Sequence, residues 1–334
     1  MERIFPGAQD RFHGIIPSPS PFGYRARARL FPQRDNGGKG LGFFRQGSKK
    51  VQPIDRCLVI DQVLDRLLGR LNNWMKDRGN HLPGLTRYVL LEKDILDEWA
   101  LSIFFKRRPK GAQLEELESL AEFFSASAKI SSKSALLTSA PDGLCFYQDE
   151  KLAPAGLMCA SGGFFQANLE QNRNLVRGVV ELAKETGASS VTELFCGAGN
   201  FSIPLARAGM KVAGFELDEK ALEFARKNAQ LNECAQMADF GQMDLFSPRI
   251  DLLTQLRSDC LILDPPRVGA KELCKQMGSL NPRFIIYVSC DPMTLARDLD
   301  AMRQWGYGLE KVLALDLFPQ TYHIESVVLL EKKG

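Results

Sequence analysis

The 334-residue sequence contains no Cys-x-x-Cys pair. Its eight cysteines (57, 145, 159, 196, 234, 260, 274 and 290) are scattered, which argues against a disulfide framework and against a zinc or iron–sulfur site. A reducing cytoplasm is the expected location, and no metal is expected. No run of about 18 apolar residues occurs, so no membrane span is expected. The opening residues, MERIFPGAQDRF, lack the apolar core of a signal peptide. Neither an internal repeat nor a low-complexity tract is visible. Net charge is only +3, so the whole chain is no obvious polyanion binder. Charge is unevenly spread, however. Residues 1–56 hold 11 Lys and Arg against 4 Asp and Glu, an excess of about +7 that suits phosphates and equally suits a solvated surface.

What is present fits two domains, at a prior of about 150 residues each. Residues 1–21 read as irregular, with IIPSPSPFG a linker. Tyr24 to Phe31 alternates strictly and reads as a strand, with Arg25, Arg27 and Arg29 on one face about 7 Å apart, near the spacing of successive phosphates. Asn36-Gly37-Gly38 is a turn signal, and Leu41 to Arg45 reads as the returning strand. The three arginines are candidate RNA contacts, or an ordinary exposed strand face. Apolar residues at spacings of 3, 4 and 7 predict a helix over 59–77. Strands are expected near Tyr88–Leu91 and Leu101–Phe105, a helix near Gln113–Phe124, and short strands over 130–159. Lys106-Arg107-Arg108 and Lys110 form a further basic knot of the kind that is usually solvated. The first half, 1–160, is thus an α+β module.

From Gly162 the texture changes. Asn168 is placed to cap a helix over 169–186, after which strands and helices alternate as in a parallel sheet. Expected strands are Val191–Phe195, Lys211–Glu216, Phe240–Met243, Leu261–Leu263, Phe284–Val288 and Val327–Leu330, with helices near 201–208, 218–231, 271–278 and 292–304. Between the first strand and its helix lies a glycine loop. Gly197 and Gly199 allow a tight turn and close approach to a ligand. A dinucleotide fingerprint would have a third glycine where Ser202 stands, which weakens an NAD reading. Glu193 before the loop suits a cationic ligand better than a pyrophosphate. Glu216 ends the next strand, where a carboxylate can hold ribose hydroxyls; Asp244 ends the third, near an adenine edge; Asp264-Pro265-Pro266 ends the fourth. Polar groups at successive strand ends converge on one crevice. Together they favour S-adenosylmethionine over NAD. Downstream, Asp291 suits an N-cap and Pro292 the first helical position. Cys290 then sits between a strand's end and a helix's start, where the dipole favours a thiolate nucleophile. The bland alternative is an inert packed thiol.

FFQAN (164–168), LFCGAGNFS (194–202), DPPR (264–267), SCDPMTLARDL (289–299) and DLFPQTYHIE (316–325) resemble the RNA (uracil-5-)-methyltransferase family, from about residue 22 to the C-terminus. The resemblance implies a Rossmann-like class I methyltransferase domain over 161–334, mostly parallel with an antiparallel last strand, preceded by an α+β RNA-recognition domain over 1–160. It implies that a monomer makes 5-methyluridine in rRNA or tRNA. By motif, Cys290 would be the nucleophile that adds to carbon 6, and Glu325 the base that removes the carbon-5 proton. Gln166, Phe195, Asn200, Glu216, Asp244 and Asp264 would line the S-adenosylmethionine site. Glu325 precedes an apolar strand, so partial burial should raise its carboxyl toward working pH; His323, two residues away, is a second base candidate. Many relatives begin with a small β-barrel, for which there is no room here. Many rRNA enzymes hold an iron–sulfur cluster on four cysteines, of which only Cys57 matches; either the cluster is absent in this branch, and none is expected, or the given start lies inside a longer frame. Arg267 stands where a 5-methylcytosine enzyme would have a cysteine and an adenine N6 enzyme an aromatic residue. A non-catalytic RNA-binding scaffold is the alternative from another class.

Overall fold

The structure, a computed structural model, describes residues 2–33, 40–248, 251, 254 and 258–333. Two compact units divide the chain. Residues 1–19, 147–158 and 170–334 form the larger, and 20–146 with 159–169 the smaller. Residues 1–19 and 147–158 thus belong to the unit of the C-terminal half and 161–169 to the other, where a single cut at 160 would divide them the other way. Among the described residues no helix is long and apolar enough to cross a membrane.

A strand of the larger unit comes first, β1 (Phe12–Ile16). The smaller unit then supplies β2 (Arg27–Pro32), β3 (Leu41–Phe44), β4 (Val51–Pro53), β5 (Thr86–Lys93), β6 (Trp99–Phe105), β7 (Ser127–Ile130) and β8 (Ser134–Thr138). They form an antiparallel sheet in the order β4-β3-β2-β5-β6-β8-β7. The expected hairpin exists, with Phe31 opposite Gly42 and Pro32 opposite Leu41. Its turn, Asn36-Gly37-Gly38, lies outside the described residues. Strict alternation along β2 buries Ala28 and Leu30. They pack with Leu64, Leu67, Leu68 and Leu71 of α1 (Gln62–Asp77). That helix starts where Asp61 Oδ1 accepts the Val63 N–H at 2.7 Å. After the single turn α2 (Leu82–Leu85), the helix α3 (Ala112–Phe124) adds Leu117, Leu120 and Phe124 to the same core.

A two-stranded hairpin follows, β9 (Leu144–Asp149) and β10 (Ala153–Cys159), along which the chain passes between units. The rest builds the larger unit: α4 (Leu169–Glu185), β11 (Ser190–Leu194), α5 (Ser202–Arg207), β12 (Lys211–Glu216), α6 (Glu219–Leu231), β13 (Ala238–Gln242), β14 (Cys260–Leu263), β15 (Phe284–Ser289), β16 (Tyr307–Leu315) and β17 (Glu325–Lys332). The sheet order is β1-β16-β17-β15-β14-β11-β12-β13. Strands β11 to β15 are mutually parallel and β17 is antiparallel to β15, the expected α/β architecture.

Three elements depart from the sequence reading. Residues 12–16 are not irregular but an edge strand parallel to β16; their mostly exposed pattern hides it, and pairing creates it. β16 escapes a period-2 reading because a bulge between Leu309 and Lys311 shifts its alternation, so Tyr307 and Leu309 share the core with Val312. The helix expected over 271–278 is two turns, Lys271–Cys274 and Met277–Leu280. The second lies so close to Trp305 that a Cβ on Gly278 would fall 2.3 Å from its ring.

Candidate active site

Parallel strands deliver their C-terminal ends to one edge of a sheet, and β11 to β15 therefore bring Phe195, Glu216, Asp264 and Cys290 to the same edge. The antiparallel β17 starts there. Ser289 pairs with Ser326, so Cys290 and Glu325 each lie one residue beyond the last registered pair, and the Glu325 carboxyl acts electrostatically on the Cys290 thiol. Asp291 caps the helix Pro292–Arg303, its Oδ1 accepting the Met293 and Thr294 N–H groups at 2.9 Å each.

Glu325 is only 2% exposed. Burial pushes its carboxyl well above the usual range, Asp264 pushes the same way, and Arg267 opposes both. Asp264 keeps some accessible surface, yet enclosure by protein raises its carboxyl to about 7. The Cys290 thiol is half-buried. Burial raises it first, then Glu325 and Asp264, while the Arg267 guanidinium lowers it. Desolvation and two carboxyls thus oppose the preference of the helix start for a thiolate, and Arg267 is the positive charge that counters them. Arg267 Nη2 donates to His323 Nε2 at 3.1 Å, so that ring nitrogen carries the lone pair and is engaged. Tyr322 and Phe318 flank the imidazole, with centroids 4.2 and 6.2 Å away.

The loop that carries Arg267 is tied to the helix after Cys290, a link the sequence did not announce. Asp298, 1% exposed, accepts the Ala270 N–H and the Tyr287 hydroxyl, both at 2.7 Å. Arg297 pairs with Asp298 at 2.7 Å and donates to the Val268 carbonyl at 2.8 Å. Gly269 is required between them. Its φ is +73°, and a Cβ would lie 2.4 Å from Asp298 Oδ2.

At the glycine loop Phe195 holds a left-handed φ of 67°, a strained value for an aromatic residue. Gly197 has φ +53° and open space where a Cβ would stand. Its N–H donates to Glu216 Oε2 at 3.2 Å, and Glu216 Oε1 accepts the Leu217 and Asp218 N–H groups at 2.7 and 3.1 Å. Asn200 and Asn172 exchange amide hydrogen bonds of 2.9 and 3.0 Å, so a fully buried asparagine of α4 fixes the loop residue. Asp244 lies exposed beyond β13, its Oδ1 accepting the Phe246 N–H at 3.0 Å; the Phe246 ring is 5.8 Å from that of Phe195. Glu193 does not face a cationic ligand. It is 1% exposed, accepts the Ser202 hydroxyl, and burial raises its carboxyl to about 8. Ser202 thus replaces the third glycine with a strand-to-helix link. The open glycine turn, carboxylate-bearing strand ends and nearby aromatic pair fit an adenosine-bearing ligand.

In the smaller unit Gln166 is buried at 9% exposure, and Cys57 packs half-buried against the core. The three arginines share a face but not a fate. Arg27 pairs with the fully buried Glu92 at 3.2 Å, and Arg25 Nε donates to the Arg27 carbonyl at 3.1 Å. Arg29 is exposed, its guanidinium 4.9 Å from the Tyr88 ring. Of the three, Arg29 is the exposed one, while Glu92 stands opposite Arg27 in the β2–β5 register and pairs with it.

This sheet edge defines an S-adenosylmethionine-dependent methyltransferase of class I. Three comparisons narrow it. The family described as tRNA (Uracil-5-)-methyltransferase matches residues 156–333. The 23S rRNA (uracil(1939)-C(5))-methyltransferase RlmD of Marinomonas sp. is 33% identical over 95% of this chain and 70% of its own length; that of Shewanella woodyi is 33% identical over 92% and 69%. The crystal structure of Pyrococcus abyssi tRNA (uracil-54, C5)-methyltransferase with S-adenosyl-L-homocysteine superposes with a TM-score of 0.68, at 26% identity, covering 95% of this chain and 78% of that one. The chain belongs to the tRNA (uracil-5-)-methyltransferase family.

Proposed function

We propose that this enzyme methylates carbon 5 of a uridine in rRNA or tRNA, with Cys290 as nucleophile and Glu325 as base, acting as a cytoplasmic monomer. The observation that supports this most is the β15–β17 register, whose last pair, Ser289 with Ser326, adjoins both Cys290 and Glu325. Carbon 5 of uracil is a poor nucleophile. Addition of the Cys290 sulfur to carbon 6 places enolate-like electron density on carbon 5. S-adenosylmethionine supplies the methyl group. Glu325 then takes the carbon-5 proton, the electrons re-form the ring double bond, and the bond to Cys290 breaks. Arg267 favours the ionised states of both Cys290 and Glu325. A carboxyl raised to about 7, that of Asp264, is able to donate or accept at the uracil edge. The cofactor is held by the Gly197–Asn200 turn and by Phe195, Glu216, Asp244 and Asp264. The smaller unit recognises RNA, with Arg29 its open cation. A target inside a stack must be flipped or already looped out.

The test is methyl transfer to unmodified rRNA and tRNA transcripts, read by nucleoside mass spectrometry. Wild type should yield 5-methyluridine and Cys290→Ser none. Wild type yielding 5-methylcytidine, or no methylated nucleoside from either RNA, would contradict the proposal.

A further inference from the structure

Four aromatic rings line one face of the smaller unit's sheet. Phe44 of β3, Phe31 of β2, Tyr88 of β5 and Phe104 of β6 stand on four successive strands. Their centroids are separated by 4.2, 6.3 and 4.3 Å in that order. Core packing does not require this row. The alternate residues, Leu30, Val89 and Ile103, point the other way and fill the core. The row is open to solvent to different degrees: Phe44 is 48% exposed, and the other three keep intermediate exposure. Cations share its face. Arg29, two residues before Phe31, lies over the Tyr88 ring. Pairing carries its register across the sheet through Leu90, Ser102 and Leu136 to the exposed Lys129.

We infer that this row is a stacking platform for unpaired RNA bases, with Arg29 and Lys129 meeting the backbone phosphates. The inference rests on the reading of the chain as an RNA enzyme. Rings spaced along a sheet offer flat π faces to which any base can stack. Flanking cations suit a polyanion rather than an apolar protein helix, in keeping with the basic excess of residues 1–56. Aromatic stacking is tolerant of sequence and nearly independent of salt, whereas the arginine contact is salt-dependent. The two contributions are therefore separable.

The experiment is fluorescence-anisotropy titration of the full chain with a labelled, uridine-rich single-stranded RNA of about 20 nucleotides at several salt concentrations. Methyl transfer at saturating transcript is assayed on the same preparations. Phe44→Ala and Tyr88→Ala should each weaken binding about tenfold with an unchanged salt slope. Arg29→Gln should lower the slope of log K against log salt by about one. Phe44→Trp should keep wild-type affinity, and its added fluorescence should be quenched by the RNA. Wild-type affinity in both alanine variants, or a tryptophan at 44 blind to RNA, overturns the platform. A wild type that methylates no uridine, yet loses RNA affinity with the rings, overturns the functional reading and leaves the platform standing.

Discussion

Glu193, Asp264 and Glu325 are all held above the ordinary carboxylate range, and burial leads in each case. Their surroundings then give them different work. Glu193 is buried and closed off by the Ser202 hydroxyl, so its titration is read in stability. A carboxyl whose value rises on folding contributes stability that is fully present below its ordinary value and lost as pH climbs through the folded one. For Glu193 that window runs from 4.5 to about 8. Glutamine preserves the acceptor for Ser202 and removes the titration. The melting temperature of Glu193→Gln relative to wild type should therefore rise between pH 5 and pH 9; a pH-independent difference would show that Glu193 is not held protonated. Asp264 and Glu325 both act on the Cys290 thiol, and in the proposed mechanism the same burial suits them to proton transfer, because an acid near its working pH both gives and takes protons.

The helix Pro292–Arg303 does two jobs. Its start presents Cys290, capped by Asp291, and loss of that cap by Asp291→Ala should cost about 1 kcal/mol in unfolding experiments. Its second turn, through Arg297 and Asp298, holds the Val268–Ala270 stretch and hence the backbone that carries Arg267. Asp298→Asn should lower kcat while leaving S-adenosylmethionine affinity unchanged. It should also shift the pH profile of Cys290 alkylation upward, because Arg267 no longer stands where it opposes the carboxyls. A profile that stays put would make Asp298 a fold residue only. Elements announced by local chemistry were legible in the sequence: Asp291-Pro292 marked this helix, and the Gly197–Gly199 pair marked the loop. Strand β16 was not, since its bulge broke the alternation, and β1 exists only through its pairing with β16. The burial of Asn172, and of Asp298 within its motif, gave no signal either. A polar residue on a helix looks solvated until tertiary packing buries it.

Across the whole molecule, the chain places its chemistry in one unit and an aromatic, arginine-bearing sheet face in the other. Cys290 and Glu325 were legible as motifs, but the β15–β17 register that ends beside them was not, because register between strands distant in sequence is set by the folded sheet. The arginines show the opposite failure: alternation put all three on one face, and only the β2–β5 register revealed that Glu92 claims Arg27. S-adenosylmethionine at a hundred times its Kd should stabilise the protein by about 2.7 kcal/mol. Asn200→Ala should raise that Kd, and an unchanged value would remove Asn200 from the cofactor set. The most direct measurement of the central claim is mass spectrometry of Glu325→Gln after incubation with S-adenosylmethionine and an unmodified transcript, followed by nuclease and protease digestion. The account predicts a peptide containing Cys290 that bears a methylated uridine, trapped because its carbon-5 proton has no base to leave to. An unmodified Cys290 peptide, or an adduct on another cysteine, would contradict it.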